Sequence, residues 1–126
     1  MRYLLDTNAL LYVFSAPSEL SAKARRIVRG EIDLSVSVVS FWEIAIKQSI
    51  GKLHFNMTIP NLESLCLGRN IQILGLGSTA IERIKALPPI HGDPFDRRII
   101  AQAQTEDMTI VTCDKTMPQY PVKTVW

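Results

Sequence analysis

Five acidic residues stand out by type and position: Asp6, Glu43, Asp93, Asp96 and Asp114. Asp6 closes the apolar run Tyr3-Leu4-Leu5, and Asp114 closes Thr109-Ile110-Val111-Thr112-Cys113. Glu43 and Asp96 fall where helices are expected to begin, and Asp93 lies about one turn before Asp96. Carboxylates brought together repel, which raises their pKa values and destabilises the empty site. A hard divalent cation relieves that repulsion. Oxygen ligands without cysteine or histidine suit Mg²⁺ or Mn²⁺ rather than zinc. Such an ion also lets a phosphate approach, lowers the pKa of bound water and clamps the oxygens of an in-line displacement. The chemistry implied is phosphodiester hydrolysis without a protein nucleophile.

Each acid also has an ordinary structural use. Asp6 and Asp93 stand at N-cap positions, Ser40 and Glu43 have the spacing of a capping box, and Asp114 can open a turn. Asp96, at the third helical position, favours the helix dipole. Separate structural uses do not explain why all of these acids fall at one edge of a sheet.

Placing them there requires a particular set of elements. Tyr3-Leu4-Leu5 reads as a strand buried on both faces, followed by the polar triplet Asp6-Thr7-Asn8 and an apolar helix start. Ser21 caps a second helix through Arg29, ended by Gly30 and carrying a basic face of Lys23, Arg25, Arg26 and Arg29. Asp33–Ser37 alternates as a strand. A third helix is expected from Phe41 to about Ile50, capped by Ser40 and closed by Gly51. Ile59–Leu67 reads as an amphipathic helix stopped by Gly68, and 71–74 as a strand. Ser78 is expected to cap a helix running to about Ala86, which Pro88-Pro89 cannot continue. Asp93 caps a helix through Asp107 with Pro94 at its first position. Thr109–Thr112 is a strand, and 122–125 adds a short last one. Strands and helices alternate, so the fold class is α/β, a sandwich with a mainly parallel sheet. In such sheets ligands bind at the carboxyl ends of the strands.

The bulk properties are compatible with this reading. At 126 residues with 47% hydrophobic and 21% charged side chains, the chain suits a single domain, 1–126, with a substantial core. Fourteen basic against twelve acidic residues give +2, which neither demands nor excludes a nucleic-acid partner. Two isolated cysteines, Cys66 and Cys113, suit a reducing compartment. No apolar run reaches the roughly 18 residues of a membrane span, and the N-terminus lacks signal-peptide features. A cytoplasmic location is expected.

Other side chains carry weaker signals. Trp42 is suited to stacking on a base, though packing in a core or interface is the more usual role for such a ring. Lys47 makes an i,i+4 pair with Glu43 in the favourable order and is placed to orient it. Arg97 and Arg98 flank Asp96, so one can hold a phosphate while the other makes a surface pair. His91 and His54 are loop histidines with no partner visible in the sequence, read as incidental.

Taken together, Leu4-Leu5-Asp6-Thr7-Asn8-Ala9-Leu10-Leu11, Ser40-Phe41-Trp42-Glu43-Ile44-Ala45-Ile46-Lys47, Asp93-Pro94-Phe95-Asp96-Arg97 with Ala101-Gln102-Ala103, and Thr109–Asp114 resemble the PIN-domain proteins. Within them the VapC-type toxins of type II toxin–antitoxin pairs are most similar. Each motif is weak alone, but the ordered set spans the chain. The resemblance implies a PIN-like three-layer sandwich around a five-stranded parallel sheet in the order 3-2-1-4-5. It implies a Mg²⁺- or Mn²⁺-dependent endoribonuclease with Asp6, Glu43, Asp96 and Asp114 as the catalytic, metal-holding quartet. Asp93 matches a further aspartate of one branch. Thr7 and Thr112, with Arg97, are expected to position substrate or water. The resemblance also implies a cognate antitoxin and commonly a homodimer. An Arg or Lys of the antitoxin, inserted among the acids, is the expected inhibitor, with Leu11, Phe14 and Trp42 as candidate anchors. Gly92 stands where relatives often carry a basic residue, and Lys115-Thr116-Met117 replaces a commoner acidic and aromatic segment.

Two rival readings differ in class. A covalent aspartyl-phosphate enzyme would use Asp6 as nucleophile, but Asn8 stands where the haloacid-dehalogenase pattern wants a second aspartate, and receiver-domain acids are missing. A non-catalytic PIN-like module binding RNA or a protein has no need of mutually repelling carboxylates.

Overall fold

Arg2–Leu5 forms β1, whose alternate side chains enter two different cores, Leu5 on one face and Leu4 on the other. The computed structural model describes residues 1–30 and 33–126. In chain order β1 is followed by α1 (Thr7–Ser15), α2 (Ala22–Arg29), β2 (Asp33–Ser37), α3 (Val38–Ser49), α4 (Ile59–Gly68) and β3 (Ile71–Leu74). Then come α5 (Ser78–Ile84), α6 (Pro94–Glu106), β4 (Thr109–Val111) and β5 (Thr124–Val125). The five strands form one sheet in the order β3-β2-β1-β4-β5 with every pairing parallel. That is the expected order.

Residues of α1, α2 and α4 pack with Leu5, Leu34, Val36, Ile71 and Val111 on one face. Residues of α6, with Leu87, Met117 and Tyr120, pack with Leu4 and Ile110 on the other. The result is three layers. Leu4, Leu5, Leu10, Ile99, Ile100 and Ile110 are fully buried, and truncating any one to alanine should cost about 2–5 kcal/mol. Because β1 is central, its last residue is followed directly by Asp6 over the middle of the sheet's carboxyl edge.

Several element boundaries differ from those expected. β2 runs into α3 without a loop, and Ser37, not Ser40, is the N-cap, accepting from the Val39 N–H at 3.1 Å. The extended backbone at the end of the strand already has the geometry an N-cap needs, so the helix starts three residues early. The Ser40–Glu43 capping box does not form. Ser40 is wholly buried inside the helix, and Glu43 sits in its second turn. Gly77 rather than Ser78 precedes α5, with no side-chain cap, and that helix ends at Ile84. α6 ends at Glu106, where Asp107 adopts a left-handed backbone at φ 52°. Both cysteines are free thiols, Cys66 buried and Cys113 exposed. Among the described residues, no helix is long and apolar enough to cross a membrane.

Candidate active site

Asp6 serves the fold and the site at once. Its Oδ1 accepts from the Ala9 N–H at 2.8 Å, capping α1, while its Oδ2 accepts from the Thr112 hydroxyl. The Thr112 oxygen in turn accepts from the Asp114 N–H at 2.9 Å, so one threonine just past β4 ties two acids together. Asp6 is 4% exposed. Burial, reinforced by the charges of Asp114 and Glu43, pushes its carboxyl up to about 6 against the two hydrogen bonds that favour the anion.

Glu43 reaches the same place from α3. The Thr7 hydroxyl, on the first residue of α1, donates to its Oε1 at 2.7 Å and lies 2.9 Å from Ser40 Oγ. Lys47, one turn on, holds Oε2 at 2.6 Å. This hydrogen bond raises the Lys47 ammonium above its ordinary value, assisted by the charges of Glu43, Asp93 and Asp96. Lys47 therefore does orient the Glu43 carboxylate. Thr7 and Thr112 thus fix carboxylates through their hydroxyls.

The other two acids come from α6 and the turn after β4. Asp93 Oδ1 accepts from the N–H groups of Phe95 at 2.8 Å and Asp96 at 3.1 Å, the expected N-cap. That cap fixes the first turn, from which Asp96 projects toward the cleft. Burial, then repulsion from Asp93 and Glu43, pushes Asp96 up to about 7, and the His91 ring pulls the other way. Asp114 does open a turn, its Oδ1 accepting from Thr116 at 2.6 Å and Met117 at 3.1 Å. Partial burial opposes its ionisation, but those bonds and one from His91 outweigh it and hold the carboxyl below the ordinary range.

His91 is the member that sequence reasoning missed. Its Nε2 lies 2.9 Å from Asp114 Oδ2 and 3.0 Å from Asp96 Oδ2, and the side chain is 12% exposed. Its only sequence signal was proximity to Asp93; the carboxylate it hydrogen-bonds, Asp114, and the nearby Asp96 lie on other elements. Arg97 does a different job from the phosphate contact expected of it. All four of its Nη hydrogens point at oxygens of Ile84, Leu87, Pro88 and Tyr120, so the guanidinium buttresses the loop before α6. Trp42 is not core: it is 52% exposed, edge-on to Phe95 at 5.4 Å, with the Arg98 guanidinium 5.5 Å from its ring centre. Of the other proposed anchors, Leu11 is buried in the core and Phe14 is half-buried against it. His54 is exposed on the loop after α3.

The donor set fits a hard divalent cation. Atoms of His91, Asp96 and Asp114 lie within 4.8 Å of one another, and Asp6 and Glu43 contribute charge to the same space. Asp6 and Asp96, their carboxyls raised by burial and by neighbouring acids, are what an acidic metal site looks like to its own protons.

A five-stranded parallel sheet in this order matches known proteins. The PIN domain family model matches residues 3–123, and the chain belongs to that family. It is 29% identical over 129 aligned positions to Ribonuclease VapC22 of Mycobacterium tuberculosis, covering 98% of this chain and 97% of the relative. In structure it is similar to the crystal structure of VapBC2 from Rickettsia felis bound to a promoter DNA fragment, with a TM-score of 0.75 at 16% identity over 99% of this chain and 98% of that one. VapBC-1 from nontypeable Haemophilus influenzae aligns with a TM-score of 0.69 at 18% identity over 99% and 97%. At these identities the structural likeness speaks for the fold.

Proposed function

We propose that this chain is the toxin of a type II toxin–antitoxin pair, a Mg²⁺- or Mn²⁺-dependent endoribonuclease acting in the cytoplasm. The observation that carries the reading is the meeting of Asp6, Glu43, Asp96 and Asp114, from four separate segments, at the carboxyl edge of β1 and β4. Similarity to a relative described as a ribonuclease, and neighbours solved as toxin–antitoxin complexes, support it.

Asp6, Asp96 and Asp114 would hold the ion, with Glu43 beside them. Bound there, a divalent cation supplies Lewis acidity and a water of lowered pKa. Thr112 fixes Asp6, and Thr7 with Lys47 fixes Glu43, so the carboxylates need little reorganisation when a phosphodiester arrives. Asp93 supports Asp96 as a cap and adds negative charge. Single-stranded or loop RNA, with an exposed backbone, is the substrate such an open edge can grip.

Inhibition follows from the same charges. A basic residue of a small antitoxin, inserted among the acids, would pair with them and displace the ion. The Lys47–Glu43 pair is an internal precedent for an ammonium in this cleft. The exposed Trp42 is an anchor for that partner or for a second copy in a homodimer. The test is cleavage of loop RNA with added Mn²⁺ by the parent and by Asp6→Asn, Asp96→Asn and Asp114→Asn. Each variant should stay folded and lose at least about a hundredfold in rate, the scale on which a lost transition-state charge partner acts. An Asp96→Asn variant as active as its parent would leave Asp96 a helix-terminus acid only.

A further inference from the structure

The loop between α5 and α6 is held unusually firmly for a connection. Tyr120, buried at 3% exposure, accepts through Oη from the N–H groups of Ile90 at 3.1 Å and His91 at 2.7 Å and donates to the Pro88 carbonyl at 2.8 Å. Arg97 adds a bond to the same carbonyl at 2.8 Å. What this scaffold presents to the acidic cleft is the His91 ring.

The ring's hydrogen bonds define its tautomer. Nδ1 accepts from the Asp93 N–H at 3.1 Å, so it carries no proton, and the neutral ring has its proton on Nε2. That N–H is directed at Asp114 Oδ2 at 2.9 Å, and Asp96 Oδ2 lies 3.0 Å from the same nitrogen, off the hydrogen-bond direction. A metal-ligating Nε2 would need the proton moved to Nδ1, where it would oppose the Asp93 N–H. The imidazole is therefore arranged to donate to the Asp114 carboxylate, not to coordinate beside it.

We infer that His91 is a positioning residue, an N–H donor to Asp114 that sets the facing of this carboxylate beside Asp96 for a divalent cation. The inference rests on the metal-dependent reading above. Without that N–H, the Asp114 carboxylate is held through Oδ1 by the Thr116 and Met117 amides, and its Oδ2 loses its donor. Carboxylates that have lost an orienting hydrogen bond bind metal about 10–100-fold more weakly.

The experiment titrates Mn²⁺ into the purified full chain, without RNA, by calorimetry, alongside His91→Ala and His91→Gln. The parent binds, His91→Ala binds at least about tenfold more weakly, and His91→Gln, whose amide keeps an N–H donor, recovers most of the loss. The pulsed paramagnetic spectrum of Mn²⁺ bound to the parent shows no directly coordinated imidazole nitrogen. Equal affinity in parent and His91→Ala overturns the positioning role, and a coordinated nitrogen that disappears in His91→Ala makes His91 a ligand instead. A folded His91→Gln that binds at least about tenfold more weakly than the parent also overturns it, and this arm holds even where the alanine variant fails to fold. A parent that binds no Mn²⁺ removes the metal reading itself, an outcome distinct from the others.

Discussion

Asp6 and Glu43 are each 4% exposed, whereas the side chains of Asp96 and Asp114 are 18% and 26% exposed. The first pair stands on the last residue after a central strand and on a buried helix, and every oxygen of both acids is engaged by a hydroxyl, a backbone amide or Lys47. The second pair stands on a helix start and a turn, beside one loop imidazole that hydrogen-bonds Asp114 and lies 3.0 Å from Asp96. In the buried half the fold itself supplies the donors, because an unpaired charge there would cost several kcal/mol. In the open half solvent carries part of that burden, and a few loop contacts decide the geometry. Changes in the buried half should therefore act on stability and metal together, and changes in the open half mainly on metal and catalysis.

The largest effect expected from this contrast is on pH dependence without metal. Asp6 at about 6 and Asp96 at about 7 both stand above the ordinary value of 3.8. Acids with raised folded-state pKa values keep their protons longer in the folded protein than in the unfolded chain. Their contribution to stability is present at low pH and lost as pH rises from about 4 to about 7. Asp114, shifted below 3.8, has no slope in that window. Denaturant unfolding in EDTA should show this contribution falling by a few kcal/mol between pH 4.5 and about 7.5. Asp6→Asn should remove its share of the slope, and a slope unchanged in that variant would mean that Asp6 ionises normally.

A smaller effect separates the halves by substitution. Thr112→Val removes the hydroxyl from Asp6 Oδ2 and the acceptor from the Asp114 N–H. It should destabilise by about 1–3 kcal/mol in chemical denaturation, as expected when buried polar groups lose a partner. A loss below about 0.5 kcal/mol would show that water replaces the hydroxyl and that this half is less closed than its burial implies.

The same division explains what the sequence allowed to be read. Asp6 was legible because a short apolar run ending in an acid places that acid at a strand's carboxyl end. The Asp93-Pro94 cap was legible because both residues act within one turn. Glu43 was read partly as a capping-box acid paired with Ser40, and that box does not form. Ser37 ends a strand and starts a helix in the same backbone conformation, a double use that residue preference alone does not separate from a cap at Ser40. His91 and Arg97 were misread because the Asp114 that His91 hydrogen-bonds lies 23 residues away and the oxygens Arg97 meets lie 9 to 23 away, on elements whose approach depends on how α5 and α6 pack. Trp42 was expected in a core or an interface, and the face of α3 it occupies leaves it outside the core.

The central claim, that the four acids form one divalent-cation site, is tested most directly by thermal melting with and without Mn²⁺. A cation that binds only the folded chain stabilises by mass action, about 2.7 kcal/mol at a hundred times its dissociation constant. The parent should melt several degrees higher in millimolar Mn²⁺ than in EDTA. Asp6→Asn should melt in EDTA at or above the parent's temperature, since a buried repelling charge is gone, and should gain little or nothing from Mn²⁺. A parent whose melting temperature is the same in Mn²⁺ and EDTA would contradict the account.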